Sequence, residues 1–88
     1  MKIKLQLAGT IGRLAAPELE MNLKAGASIS DMIDALVKQY GAEFAGRINY
    51  REMWQVSING NVHLLTAAAE TQLHDRDEVT ILPLHFGG

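Results

Sequence analysis

Side chains able to do chemistry near neutral pH are scarce or scattered in this chain. Its 88 residues include no cysteine. That excludes a thiolate nucleophile, a thiolate zinc site and a disulfide framework. His63, His74 and His85 are too far apart in sequence to form a local metal motif, so no metal is expected. Asp75, Asp77 and Glu78 lack the glycine and distal glutamate of a calcium loop, and that stretch reads as a solvated turn. Gly9-Thr10-Ile11-Gly12-Arg13 lacks the Lys-Ser/Thr of a phosphate loop and also reads as a turn. No nucleophile, base and orienting group can be assembled from these motifs, so the chain is not expected to catalyse alone. What remains is the end of the sequence. Gly87-Gly88 offers a main-chain carboxylate with no side chain beside the reacting carbon, on backbone free to adopt almost any angle. Alone, such a pair resembles a frayed terminus. Its weight rests on what precedes it.

The elements that would position that end follow from hydrophobic period. Ile3, Leu5 and Leu7 alternate with Lys2, Lys4 and Gln6, as on a half-buried strand. After a turn-rich stretch from Gly9 to Pro17, Leu19, Met21 and Leu23 alternate with polar residues, which predicts a hairpin with a long loop. The period then changes. Ile29, Met32, Ile33, Leu36, Val37 and Tyr40 share one face of a helix. Ser28 and Asp31 form a capping-box-like pair at its start, and Gly41 stands where a left-handed C-terminal cap belongs. Phe44 and Ile48 anchor a short helical turn or loop. Trp54, Val56 and Ile58 mark a third strand, with Trp54 and Tyr40 in the core. Asn59-Gly60 is a type I′ hairpin signal leading to a short strand from Val62 to Leu64. A connection over 66–72, with room for one helical turn, precedes Leu73 and the polar turn. Val79 and Ile81 mark a last strand, ending near Pro83, which cannot donate to a ladder.

One amphipathic helix must cover one face of one sheet. The expected fold is therefore an α+β roll with a mixed sheet of four to five strands and one main helix. It is a β-grasp if the first and last strands lie side by side. The expected division is a domain over 1–82 and a flexible tail over 83–88. Ile3, Leu5, Leu23, Ile33, Leu36, Val56, Ile58, Val79 and Ile81 are the expected core. Thr80, Leu82, Leu84 and Phe86 have the opposite parity to Val79 and Ile81, so Leu82, Leu84 and Phe86 are candidates for an exposed partner-binding surface.

Composition narrows the partners. The formal charge is −2 and there is no basic cluster, so nucleic acid is not expected. The apolar runs are too short to span a membrane, and no signal peptide is apparent, so a cytoplasmic location is expected.

Three segments carry a resemblance to the ThiS/MoaD family of ubiquitin-like sulfur carriers. They are Val56-Ser57-Ile58-Asn59-Gly60, then Leu73-His74-Asp75-Arg76-Asp77-Glu78-Val79, then Ile81-Leu82-Pro83-Leu84-His85-Phe86-Gly87-Gly88. The strand order extends the resemblance over nearly the whole chain. The length and the Leu82-Pro83 step look more like the molybdopterin-synthase small subunit than the shorter thiamine carrier. Two features depart from the family. Arg76 stands where it often has glycine, and His85 and Phe86 where it often has small residues.

The resemblance implies a β-grasp and a reaction. An E1-like enzyme would use ATP to adenylate the Gly88 carboxylate. Sulfur delivery would give a thiocarboxylate that serves a molybdopterin-synthase large subunit or another sulfur-accepting enzyme in cofactor biosynthesis. Gly87 would let the tail pass a narrow channel, and the chain itself would bind no cofactor. The reach is adequate: 83–88 can extend roughly 20 Å at about 3.3 Å per residue. Two other readings share these features. One is a ubiquitin-like modifier conjugated through Gly88 to lysines, and the other a non-covalent β-grasp interaction module.

Overall fold

The computed structural model describes residues 1–84. It begins with β1, Lys2–Leu7, whose alternating side chains bury Ile3, Leu5 and Leu7. β2, Glu18–Asn22, returns antiparallel beside it, with Ile3 opposite Met21 and Leu5 opposite Leu19. The expected long loop between them is in part a helix, α1, Thr10–Leu14. Ile11 is fully buried and anchors it. Gly12 has no room for a side chain, because a Cβ there would stand 2.3 Å from the Leu7 carbonyl oxygen. One helical turn containing a glycine carries too few periods to show in the sequence.

The main helix, α2, spans Ile29–Tyr40 as its period predicts. Its capping box is formed. The Asp31 N–H donates to Ser28 Oγ at 3.2 Å, and the Ser28 N–H donates to Asp31 Oδ2 at 2.9 Å. Ile29, Met32, Ile33 and Leu36 have no exposed surface; burying each is worth about 1.5–3 kcal/mol relative to leaving it in water. Gly41 takes a positive φ of 87° with ψ −164°, a conformation open only to glycine and outside the ordinary left-handed cap. The helix α3, Ala42–Ile48, starts directly after it and buries Phe44 and Ile48. A 3-10 turn, Arg51–Met53, leads into β3, Trp54–Ile58.

The Asn59-Gly60 turn has positive φ at both residues, 51° and 87°, as a type I′ hairpin requires. It joins β3 to β4, Asn61–Leu64. A single helical turn, α4, Leu65–Ala68, buries Leu65 and Ala68. The last strand is β5, Glu78–Pro83. The sheet order is β2-β1-β5-β3-β4. β5 lies at its centre, parallel to β1 and antiparallel to β3. This is the β-grasp arrangement, with the first and last strands adjacent and α2 packed over one face.

Seven of the nine expected core residues are buried: Ile3, Leu5, Ile33, Leu36, Val56, Val79 and Ile81. Leu23 and Ile58 are only half-buried at the rim of that cluster. Leu23 lies just past the end of β2, and Ile58 abuts the hairpin turn. Trp54 is buried and donates its indole N–H to the Arg47 carbonyl at 3.0 Å. Tyr40 is half-buried, its ring 5.9 Å from that of Phe44.

Candidate functional site

β5 carries the chain toward its C-terminus from the middle of the sheet. Val79 and Ile81 point inward and are buried, while Thr80, Leu82 and Leu84 are half-exposed. On one side, the Ala8 N–H donates to the Ile81 carbonyl at 2.9 Å. β1 ends there because α1 turns the chain away. Pro83 comes next on that side, its ring 3.9 Å from the position a Cβ on Gly9 would take. Having no N–H, it leaves no donor unpaired where β1 gives out. On the other side β3 continues the ladder. The Leu84 N–H donates to the Met53 carbonyl at 2.8 Å, and Gln55 Nε2 lies 3.4 Å from the Pro83 oxygen. The described chain is thus held by main-chain bonds through Leu84. His85, Phe86, Gly87 and Gly88, including three of the predicted site residues, lie outside the described residues.

The predicted partner residues Leu82 and Leu84 have company that the sequence did not reveal. Register places Leu82 beside Gln55, and Gln55 beside Leu64. It also places Ser57 between Thr80 and Val62. Directly opposed residues share a face. Val62 and Leu64 therefore stand on the outer face with Leu82, 58% and 52% exposed. Met53, 55% exposed, accepts the Leu84 bond at the same end. The root of the tail is thus flanked by Met53, Val62, Leu64, Leu82 and Leu84. The signal was the apolar character of Val62 and Leu64, but only the register could assign their side.

The other half of the outer face is charged. An open groove of about 340 Å³ over β1, β2 and β5 is lined by Lys4, Gln6, Glu18, Glu20, Glu78 and Thr80. Its hydroxyl, Thr80 Oγ1, donates to Gln6 Oε1 at 3.3 Å and has no histidine beside it in the groove. Among the described residues, no three histidines, aspartates or glutamates converge as metal ligands.

The acidic turn differs from the expected solvated one. Asp77 is only 8% exposed. Its Oδ2 accepts the His74 N–H and its Oδ1 accepts Asn59 Nδ2, both at 2.8 Å. Asn59 Oδ1 accepts the Glu78 N–H at 2.9 Å, and the Asn59 N–H donates to the Glu78 carbonyl at 2.8 Å. These bonds tie the β3–β4 hairpin to the start of β5. The Lys2 N–H donates to Asp75 Oδ1 at 2.7 Å, and this bond holds the Asp75 carboxyl below its ordinary value. Arg76 sits at φ 69°, in the left-handed region that glycine occupies without strain.

A mixed sheet in the order β2-β1-β5-β3-β4, with the last strand central and parallel to the first, defines a ubiquitin-like β-grasp protein. The chain belongs to the ThiS family, whose model matches residues 5–88. SAMP1 from Haloferax volcanii shares the fold with a TM-score of 0.77 at 18% identity, each chain covered in full. Small archaeal modifier protein 1 from Methanosarcina acetivorans is 25% identical, with a TM-score of 0.71 over 99% of this chain and 96% of that one. A Pyrococcus furiosus protein provisionally named molybdopterin converting factor subunit 1 is 22% identical, with a TM-score of 0.73 over 94% of this chain and 97% of that one. No curated protein sequence matches. Small proteins of this class are typically carriers served by E1-like activating enzymes. Among the described residues, no helix is long and apolar enough to cross a membrane.

Proposed function

We propose that this chain carries sulfur on its C-terminal Gly88 and delivers it to a sulfur-accepting enzyme in molybdopterin biosynthesis. A Gly88 carboxylate oxygen attacks the α-phosphorus of ATP in the active site of an E1-like enzyme, and pyrophosphate leaves. Sulfur at the sulfide level, supplied by that partner, then attacks the carbonyl carbon and AMP leaves. The product is a thiocarboxylate, the nucleophile for the next enzyme. The observation that carries this reading is the family match, which runs to residue 88 behind a central strand aimed at that end. The Pyrococcus relative, by its name, supports the molybdopterin assignment. The chain acts as a carrier in the cytoplasm, not as a catalyst.

The bonds at Leu84 refine the reach. Residues 85–88, fully extended, add at most about 14 Å beyond it. The partner's catalytic centre therefore approaches close to the sheet. Leu82, Leu84 and Phe86 meet the partner together with Met53, Val62 and Leu64, and Gly87 passes the narrow part of its channel. Deleting Gly88 tests the reading. The new terminus falls up to about 3.5 Å short of the nucleotide, and a misplacement of about 1 Å costs roughly 100-fold. ATP–pyrophosphate exchange with the E1-like enzyme of the same organism should therefore fall by orders of magnitude while the fold is unchanged. Equal rates for the two chains would refute it. A second reading is favoured by the Methanosarcina relative, which is named a modifier protein: conjugation of Gly88 to lysines of targets. It predicts high-mass conjugates in cells, whereas a carrier alone yields none.

A further inference from the structure

The sheet has two edges, and they are built differently. β2 presents Glu18 and Glu20. A second β2 laid antiparallel about a two-fold axis at Glu20 would set that carboxylate against its own copy. Like charges directly opposite one another destabilise a pair, and edge charges are a common block to edge-to-edge association. β4 has no such block. Asn61, Val62, His63 and Leu64 include no lysine, acid or proline, and all four are exposed.

The backbone phase of β4 follows from its neighbours. The Asn59 N–H donates to the Glu78 carbonyl and the Met53 carbonyl accepts the Leu84 N–H, so by alternation odd-numbered residues of β3 turn their main-chain groups toward β5. Val56 and Ile58 then turn toward β4, where they oppose His63 and Asn61. Alternation leaves the main-chain groups of Val62 and Leu64 directed at the open edge. The Leu64 carbonyl begins α4, but its N–H and the Val62 carbonyl are free of that role.

We propose that β4 pairs with β4 of a second copy of this chain, antiparallel about a two-fold axis at His63, to make one continuous sheet. The Leu64 N–H of each copy donates to the Val62 carbonyl of the other. On the outer face Val62 packs against the other copy's Leu64. On the helix side His63 faces its own copy. The edge is self-complementary, as a two-fold interface must be. It is also short. Stable interfaces bury about 1,200–2,000 Å² in total, which a four-residue strand does not supply. The association is therefore weak and dynamic. Because it covers Val62 and Leu64, a self-paired chain is withheld from a partner docking at the tail root. That consequence rests on the proposed function, while the pairing does not.

The test uses the full chain alone. Sedimentation velocity and amide shifts up to about 1 mM, a dissociation constant worth roughly −4.1 kcal/mol, should show a monomer–dimer equilibrium with the largest shifts at Val62 and Leu64. His63→Lys and His63→Glu, each confirmed as folded by its amide spectrum, should each weaken association on the order of fivefold. An equimolar mixture of the two should recover it as a mixed dimer. Glu20→Lys should leave association through β4 intact. A monomer over the whole range would overturn the proposal. So would charge variants that associate as the parent does, with no gain on mixing. Shifts at Val62 and Leu64 that arise only when an E1-like enzyme is added would assign the edge to that enzyme instead.

Discussion

The Asn59 side-chain amide donates to the Asp77 carboxylate at 2.8 Å, joining the tip of the β3–β4 hairpin to the turn that launches the central strand. The two residues are 18 apart in sequence. Asn59 also accepts the Glu78 N–H and adopts the positive φ that the turn needs. Asn59→Ala removes both side-chain bonds and leaves Asp77 with the His74 N–H as its remaining close donor. The loss should be about 2–3 kcal/mol, since a buried polar group deprived of a partner costs about 1–3 kcal/mol by itself. Urea denaturation would measure it. A change below about 0.5 kcal/mol, the range of an ordinary surface substitution, would show that the link is not stabilising.

Arg76 pays for its left-handed backbone. Its guanidinium is 3.9 Å from Asp75 at an exposed site, and such surface pairs contribute about 0–1 kcal/mol. Arg76→Gly relieves a cost of roughly 1–2 kcal/mol and adds a smaller entropic one. A net gain of about 0.5–1 kcal/mol is expected, raising the melting temperature by a few degrees, at about 4–8 °C per kcal/mol for a domain of this size. A lower melting temperature would mean that the guanidinium contacts outweigh the strain.

Asp75 should shape the acid limb of the stability curve. The Lys2 N–H is the main cause of its lowered pKa; the loss of some hydrating water opposes it, and the Arg76 and N-terminal charges also lower it. A carboxyl whose folded pKa is depressed stabilises the fold fully above its unfolded pKa. That contribution is lost as pH falls through the folded value. The unfolded value is near 3.8. Asp75→Asn should therefore be less stable than the parent by a constant amount from about pH 7 to pH 5. The difference should shrink at lower pH. A gap that stays constant through the acid range would remove the carboxylate from the account.

The sequence revealed most where period is long and chemistry local. Helix α2 spans three turns with a capping box, and both ends fall where expected. The Asn59-Gly60 hairpin follows from the backbone freedom of those two residues. α1 escaped because five residues and a glycine give no period, and its fit depends on Gly12 meeting the Leu7 carbonyl, a contact between elements. Asp77 was misread as solvated because its partners lie at Asn59 and in its own turn's backbone. Met53, Val62 and Leu64 were not linked to Leu82 because the side a short strand shows depends on register. The chemistry proposed for Gly88 rests on family resemblance alone. A glycine has no side chain whose neighbours could declare a role.

The most direct measurement is the intact mass of the full chain after incubation with the E1-like enzyme of its own organism, ATP and a sulfur donor. The account predicts a mass increase equal to one oxygen replaced by sulfur, dependent on ATP and localised by fragmentation to Gly88. It also predicts that the chain lacking Gly88 gains no such mass. A chain that binds the enzyme yet keeps its original mass would contradict the claim that its C-terminus is the working end. So would sulfur found on any other residue.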